Sequence, residues 1–352
     1  MISLPPRYVK VLKVLAGGGM SDTCLCEDSH LQRRVVIKGL KPGIEKHRLM
    51  DELAALSAIR SKYVVQVLDV IYDGGEIVGL VEEFIDGPDL APLPAPIDMT
   101  AALRALYPMF AGIAEVHAHS RLHRDLKPEN MKFDGAGVLK LFDFGLAKLA
   151  TDAKTQVLYY TKGYAAPEIF QTDASGNHNF TTAVDVFAIG VSSLWLLGGG
   201  KIPAELYHVP PTLPCCDFAA LGIVFPPSIV AVMNRTVAKN PKDRPSAEEV
   251  RLEISRQLLF DKHRMLITNG AQVHSLSSLS RNVRLTVGSD TVSLKYDGYD
   301  FSVTAVSGHV RRNNKQMIVG DKLIGASVIV LGAPNGYRTS ITADVSHPEV
   351  VL

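Results

Sequence analysis

His123-Arg124-Asp125-Leu126-Lys127-Pro128-Glu129-Asn130 is the stretch on which the reading of this 352-residue chain turns. It places a carboxylate, then an ammonium two positions later, then a carboxamide on Asn130. Asp143-Phe144-Gly145 follows, and then Ala166-Pro167-Glu168. Moving a phosphoryl group asks for little covalent chemistry from a protein. It asks for cation ligands beside the phosphates, a carboxylate beside the attacking hydroxyl and positive charge against the transferred group. Asp125 can accept or orient a hydroxyl proton, and Lys127 can reach a γ-phosphate. Asn130 and Asp143 offer hard oxygen ligands suited to magnesium. Gly145 frees the backbone where the second of those ligands is positioned.

In that order and spacing the three segments resemble the eukaryotic-type (Hanks-type) serine/threonine protein kinase family, over residues 8 to about 260. The resemblance implies an α+β, two-lobed protein-kinase fold over residues 1–262, with a β-rich N-lobe at about 8–90 and a helical C-lobe at about 97–262. It further implies ATP between the lobes, with Mg2+ or Mn2+, and a protein substrate with a serine or threonine acceptor. Lys38, closing Val35-Val36-Ile37-Lys38, matches the lysine that grips the α- and β-phosphates, and Glu52 its ion-pair partner. Asp51 lies about 100° away around the same helix. Thr161 matches the threonine that contacts the catalytic aspartate, and Lys127 the residue that marks serine/threonine kinases. His123, Asp185, Glu168 and Arg244 match scaffold positions. Ala16, Gly17, Gly18, Gly19, Met20 and Ser21 match the loop over the phosphates, and Val36, Glu83, Ile85 and Asp89 the walls of the nucleoside site. Thr155, ahead of Thr151, is the expected autophosphorylation site; Tyr159 and Tyr160 lie in the same segment.

The sequence departs from the family pattern in places. Alanine and serine stand at Ala16 and Ser21, where glycines are usual, which narrows φ at the loop entry. Val36 and Thr23 alter the shape of the adenine slot. Glu82 falls at the gatekeeper position, or Glu83 if the register shifts by one. A carboxylate there needs a partner or a raised pKa.

Working outward, Tyr8 to Leu15, Thr23 to Cys26 and Arg34 to Lys38 read as strands. A helix over about 47–60 carries Leu49, Leu53, Leu56 and Ile59 on one stripe. Val64 to Tyr72 and Ile77 to Ile85 are two more strands, joined at Asp73-Gly74-Gly75. Past the proline-rich Ala91 to Pro96, helices are predicted over 100–120, 182–197, 227–238 and 247–259. Near residue 265 the character changes again, to short β-rich runs at 284–287, 291–296, 301–306, 316–319, 327–331 and 340–345. Residues 270–352 are therefore expected to form a small all-β module that binds a partner or regulatory ligand. Its cluster Arg311-Arg312-Asn313-Asn314-Lys315 reads as a solvated loop. Asp344 and His347 have no third metal ligand at useful spacing.

Thirty-seven basic against 36 acidic residues leave a formal charge of +1, which argues against a nucleic-acid binder. The four cysteines, Cys24, Cys26, Cys215 and Cys216, lack disulfide-framework or zinc spacing. Cys24 and Cys26 alternate like a strand and read as small hydrophobes. The N-terminus lacks a signal-peptide pattern, and the apolar run Val184 to Leu197 is short for a membrane span and contains Asp185. A cytoplasmic setting without membrane contact is expected. Three other readings stand beside the protein kinase. One is a pseudokinase or nucleotide-binding scaffold; another is a small-molecule kinase, against which Thr161 and Ala166-Pro167-Glu168 argue; in the third the β-module is the main functional part and binds a partner, with the kinase as its switch.

Overall fold

Alternating apolar residues build the first sheet of the computed structural model, which describes residues 4–10, 21–40, 46–149, 154–155, 158–346 and 348–350. Strands β1 (Tyr8–Lys10), β2 (Ser21–Asp28), β3 (Arg33–Leu40), β4 (Val67–Asp73) and β5 (Glu76–Glu83) pair antiparallel in the order β1-β2-β3-β5-β4. Gly74 and Gly75 make the β4–β5 turn at φ of 57° and 85°, which glycine adopts without strain. One face of the sheet packs Cys24 and Cys26 with Tyr8, Val35, Ile37, Ile71 and Val81, so both thiols serve as core hydrophobes. The other face follows from register. Lys38 pairs with Leu80 and Val36 with Glu82, so strand alternation carries these four side chains to one side. Helix α1 (Lys46–Ala58) covers that side, burying Leu49, Leu56 and, unusually, Glu52.

The rest of the first compact unit, Met1–Ile254, is mainly helical. Helix α2 (Met99–Ala118) starts at Asp98, whose side chain accepts from the Ala101 amide. Short strands follow: β6 (Arg121–Leu122), β7 (Met131–Phe133), β8 (Leu139–Leu141), β9 (Lys148–Leu149), β10 (Lys154–Thr155) and β11 (His178–Asn179). The β7–β8 hairpin and the β6–β9 pair bracket the loops that carry Asp125 and Asp143. Helix α3 (Thr182–Leu197) is buried nearly throughout, including Asp185. Helices α4 (Pro227–Thr236) and α5 (Ala247–Leu258) complete the set. Among the described residues no helix is long and apolar enough to cross a membrane.

The second compact unit, Ser255–Leu352, is β-rich. Its strands are β12 (Met265–Asn269), β13 (Gln272–Leu276), β14 (Asn282–Val287), β15 (Asp290–Tyr296), β16 (Phe301–Ser307), β17 (Val310–Arg312), β18 (Lys315–Gln316), β19 (Lys322–Leu323), β20 (Ser327–Leu331) and β21 (Thr339–Val345). They form a six-stranded sheet, β13-β12-β21-β20-β17-β18, and a four-stranded one, β14-β15-β16-β19. Met265, Ile267, Ile329 and Ile341 from the first sheet share a core with Leu285, Leu294, Tyr296 and Phe301 from the second. That is a sandwich.

Three details differ from expectation. Strand β12 opens the sandwich five residues before the predicted boundary at 270 and pairs with the last strand, β21. Arg311 to Lys315 is a hairpin, β17–β18, rather than a loop, because Asn313 and Asn314 accept φ of 47° and 67° at its tip. Of the run 316–319 only Gln316 is in a strand, at the end of β18; Ile318 and Val319 are exposed, and Met317 plugs the core. His347 lies outside the described residues, which contain no group of three or more His, Cys, Asp or Glu able to hold a metal.

Candidate active site

The loop between β6 and β7 gathers its polar groups around Asp125. Thr161 Oγ1 donates to Asp125 Oδ1 at 2.6 Å, and Lys127 Nζ donates to Asp125 Oδ2 at 2.8 Å and to Thr161 Oγ1 at 3.1 Å. Asn130 Nδ2 donates to the Asp125 carbonyl at 2.7 Å and to its Oδ2 at 3.2 Å. Four predicted residues thus meet in one hydrogen-bonded cluster. Charge-assisted bonds to both carboxylate oxygens fix the Asp125 side chain in place.

The scaffold beneath is as tight. Asp185, from the first turn of α3, accepts from the His123 amide at 2.9 Å, the Arg124 amide at 2.8 Å and His117 Nε2 at 3.0 Å. Burial alone would raise its carboxyl pKa; these hydrogen bonds outweigh that and hold it below the ordinary value. His123 bonds the Phe142 carbonyl at 3.1 Å and packs on Phe144, 4.4 Å between ring centres. Arg124 and Asp143 both sit at positive φ, 70° and 65°. Such backbone costs about 1–3 kcal/mol per residue, and it persists only where surroundings fix it. Further off, Arg244 and Glu168 form a two-pronged pair at 2.6 and 2.9 Å.

Across the sheet, Lys38 Nζ donates to Glu52 Oε1 at 2.9 Å and to Asp143 Oδ1 at 3.3 Å. Asp51 stays half-buried beside it, as the helix geometry predicts. Glu82 Oε1 lies 3.5 Å from the same ammonium. Burial works against a charged lysine, but three carboxylates raise the Lys38 pKa above its usual value. Burial, helped by Glu52 and Asp143, pushes the Glu82 carboxyl up to about 7 against the pull of Lys38. For Asp143 burial pushes the carboxyl up, but the charge and hydrogen bond of Lys38, with His123 and Lys127, together outweigh it and keep the carboxyl low.

The donor set can be tested for magnesium. Asn130 spends its amide nitrogen on Asp125, which leaves its oxygen as a ligand atom. The Asp143 side chain remains 44% exposed on the same side as Lys38. Two hard oxygens suit magnesium, which takes one or two protein ligands and completes its shell with phosphate and water. The residues fit the ion.

The remaining predicted contacts are more dispersed. Ala16 to Met20 and Thr151 fall outside the described residues, and Ser21 opens β2. Val36 faces the Lys38 side of the sheet, and Ile85 is buried just past β5. The Glu83 carboxylate is turned away, accepting from Lys140 Nζ at 2.9 Å and the Gln66 amide at 3.0 Å, so only its backbone can face a ligand. The Asp89 side chain is 85% exposed and 3.5 Å from Lys132. Thr155 pairs with His178 in the β10–β11 ladder. Sequence reasoning missed His117, Lys140 and the approach of Glu82 to Lys38. A strand-alternation count from Lys38 through the β3–β5 pair would have found the last.

Comparison with known proteins gives the family. A family model described as "Protein kinase domain" matches residues 9–253. The chain is 29% identical over 265 residues to a probable serine/threonine-protein kinase, pknA2, of Bifidobacterium longum, covering 68% of this chain and 33% of that protein. It is 27% identical over 279 residues to a probable serine/threonine-protein kinase, PknB, of Lactococcus lactis, covering 73% and 43%. A third relative, the serine/threonine-protein kinase pkn2 of Myxococcus xanthus, is 29% identical over 260 residues, covering 68% and 31%. The chain thus spans between 31% and 43% of these relatives' length. With the family model spanning well over half of its residues, the chain belongs to the protein kinase domain family.

Proposed function

We propose that the chain is an ATP- and magnesium-dependent protein kinase that transfers the γ-phosphate to serine or threonine hydroxyls, with two lobes holding the nucleotide between them. One observation carries this reading: Asp125 is fixed through both carboxylate oxygens, by Thr161 on one side and Lys127 on the other. A carboxylate so held is ready for one more hydroxyl. An acceptor serine or threonine gives its proton toward Asp125 as its oxygen attacks, while Lys127 offsets charge on the group in transfer. Lys38, steadied by Glu52, holds the α- and β-phosphates. Asn130 and Asp143 hold the magnesium ion, which when bound offsets charge on the phosphate oxygens. Val36, Ile85 and the Glu83 backbone flank the adenine, with Asp89 toward the ribose. The relatives' names support the serine/threonine class. Autophosphorylation at Thr155 belongs to the same reading, as does a recognition or regulatory role for the β-sandwich.

Labelled ATP with Mg2+ and casein tests the proposal. Label recovered as phosphoserine or phosphothreonine, and lost in Asp125→Asn, is the expected result. Label unaffected by Asp125→Asn, or found on tyrosine alone, overturns it. Nucleotide bound without any transfer points to a binding scaffold instead.

A further inference from the structure

Lysine ammonium carries three N–H donors. In Lys38 two of them go to Glu52 Oε1 and Asp143 Oδ1, at 2.9 and 3.3 Å. Glu82 Oε1 stands 3.5 Å from Nζ, yet it is a buried oxygen that has no hydrogen-bond partner among the described residues. The Glu82 side chain is only 3% exposed, so bulk solvent does not reach it. A buried acceptor without a donor is costly, and the ammonium 3.5 Å away has one N–H that neither Glu52 nor Asp143 takes. Any phosphate oxygen that binds at Lys38 competes for that same N–H and enters a cluster already holding three carboxylates around one ammonium.

We infer that Glu82 is a positioning residue that acts through Lys38, competing with the nucleotide's phosphates for the ammonium and weakening their binding. The inference rests on the kinase reading only in placing phosphates at Lys38. It differs from a packing role in one respect: it acts on phosphates and leaves the nucleoside alone. Glu52 provides the contrast. It takes a short hydrogen bond from Lys38, at 2.9 Å, and orients it, whereas Glu82 stands further off at 3.5 Å.

The test is calorimetric titration of the full chain and of Glu82→Gln, with Glu82→Met as a second variant, using Mg·ADP and, separately, adenosine. The expected result is Mg·ADP affinity raised about fivefold to tenfold in Glu82→Gln, with adenosine affinity unchanged. In turnover the same variant should lower KM for ATP more than it changes kcat. Equal shifts for both ligands, no shift for either, or weaker Mg·ADP binding overturns the inference. If Mg·ADP binding tightens in a chain that transfers no phosphate, the inference stands and the kinase reading fails. If the wild type binds neither ligand, both fall.

Discussion

Replacing Glu168 by glutamine should cost the kinase domain more than a surface charge would, and the structure says how much. The Arg244 side chain is fully buried and its Glu168 partner 17% exposed. The guanidinium also donates to the carbonyls of Ala183 at 2.9 Å, Ala238 at 2.9 Å and Lys239 at 3.3 Å, and it stacks over Phe187 with 4.8 Å to the ring centre. Removing one partner of a buried pair costs about 3–5 kcal/mol, because the other charge is stranded. Here three carbonyls and an aromatic face remain to the arginine, so the loss sits at the lower end, about 3 kcal/mol. A domain of this size loses about 2–4 °C in Tm per kcal/mol, so the melting point should fall by about 6–12 °C. Arg244→Leu should fall at least as far, since three carbonyls then lose a donor at about 1 kcal/mol each. The double variant, Glu168→Gln with Arg244→Leu, should cost less than the sum of its parts. Circular dichroism melts of the full chain decide it. A fall under about 2 °C in Glu168→Gln, or strict additivity in the double variant, refutes the reasoning.

Other outcomes follow from the same geometry. Thr161→Ala should lower kcat about a hundredfold by freeing Asp125 on one side, while Thr161→Ser keeps the hydroxyl and most of the rate. Steady-state kinetics on a serine peptide would show the difference. Asp185 titrates below its ordinary value in the fold, so its stabilisation is complete above about pH 5 and is lost as the pH falls through the folded pKa. Denaturant titrations between pH 3 and pH 6 should therefore show a flatter acid slope in Asp185→Asn. At Gly190 a methyl group would press on the hydroxyl of Thr236, itself fixed to the Met233 carbonyl at 2.6 Å, and on Val237 Cγ1 at 3.0 Å. The gain in helix propensity, about 1 kcal/mol, is smaller than the crowding cost of about 1–3 kcal/mol, so urea unfolding should find Gly190→Ala destabilised.

That Asp125, Lys127 and Asn130 would meet was legible in the sequence because their meeting depends on short spacing along the chain. Helix α3 was legible to its ends because Thr181 caps it and Gly198 stops it. His117 was not, since a histidine on an apolar helix gives no sign that it will bond Asp185, 68 residues away. Lys140 reads as an ordinary surface lysine until folding brings it to Glu83, 57 residues earlier. Strands β12 and β13 escaped because β13 is an edge strand, polar at Gln272, His274 and Ser275 and exposed along most of its length. Glu82 was flagged as a carboxylate in need of a partner. The partner is Lys38, which sequence alone had given to Glu52.

The central claim is that Asp125 performs phosphoryl transfer without contributing to nucleotide binding. The direct measurement pairs kcat for phosphate transfer with the affinity for Mg·ATP, both taken on one preparation of Asp125→Asn. A rate lowered by about 10²–10⁴ at unchanged affinity is the predicted result. A variant that transfers phosphate at the wild-type rate, or that loses rate and affinity together, contradicts it.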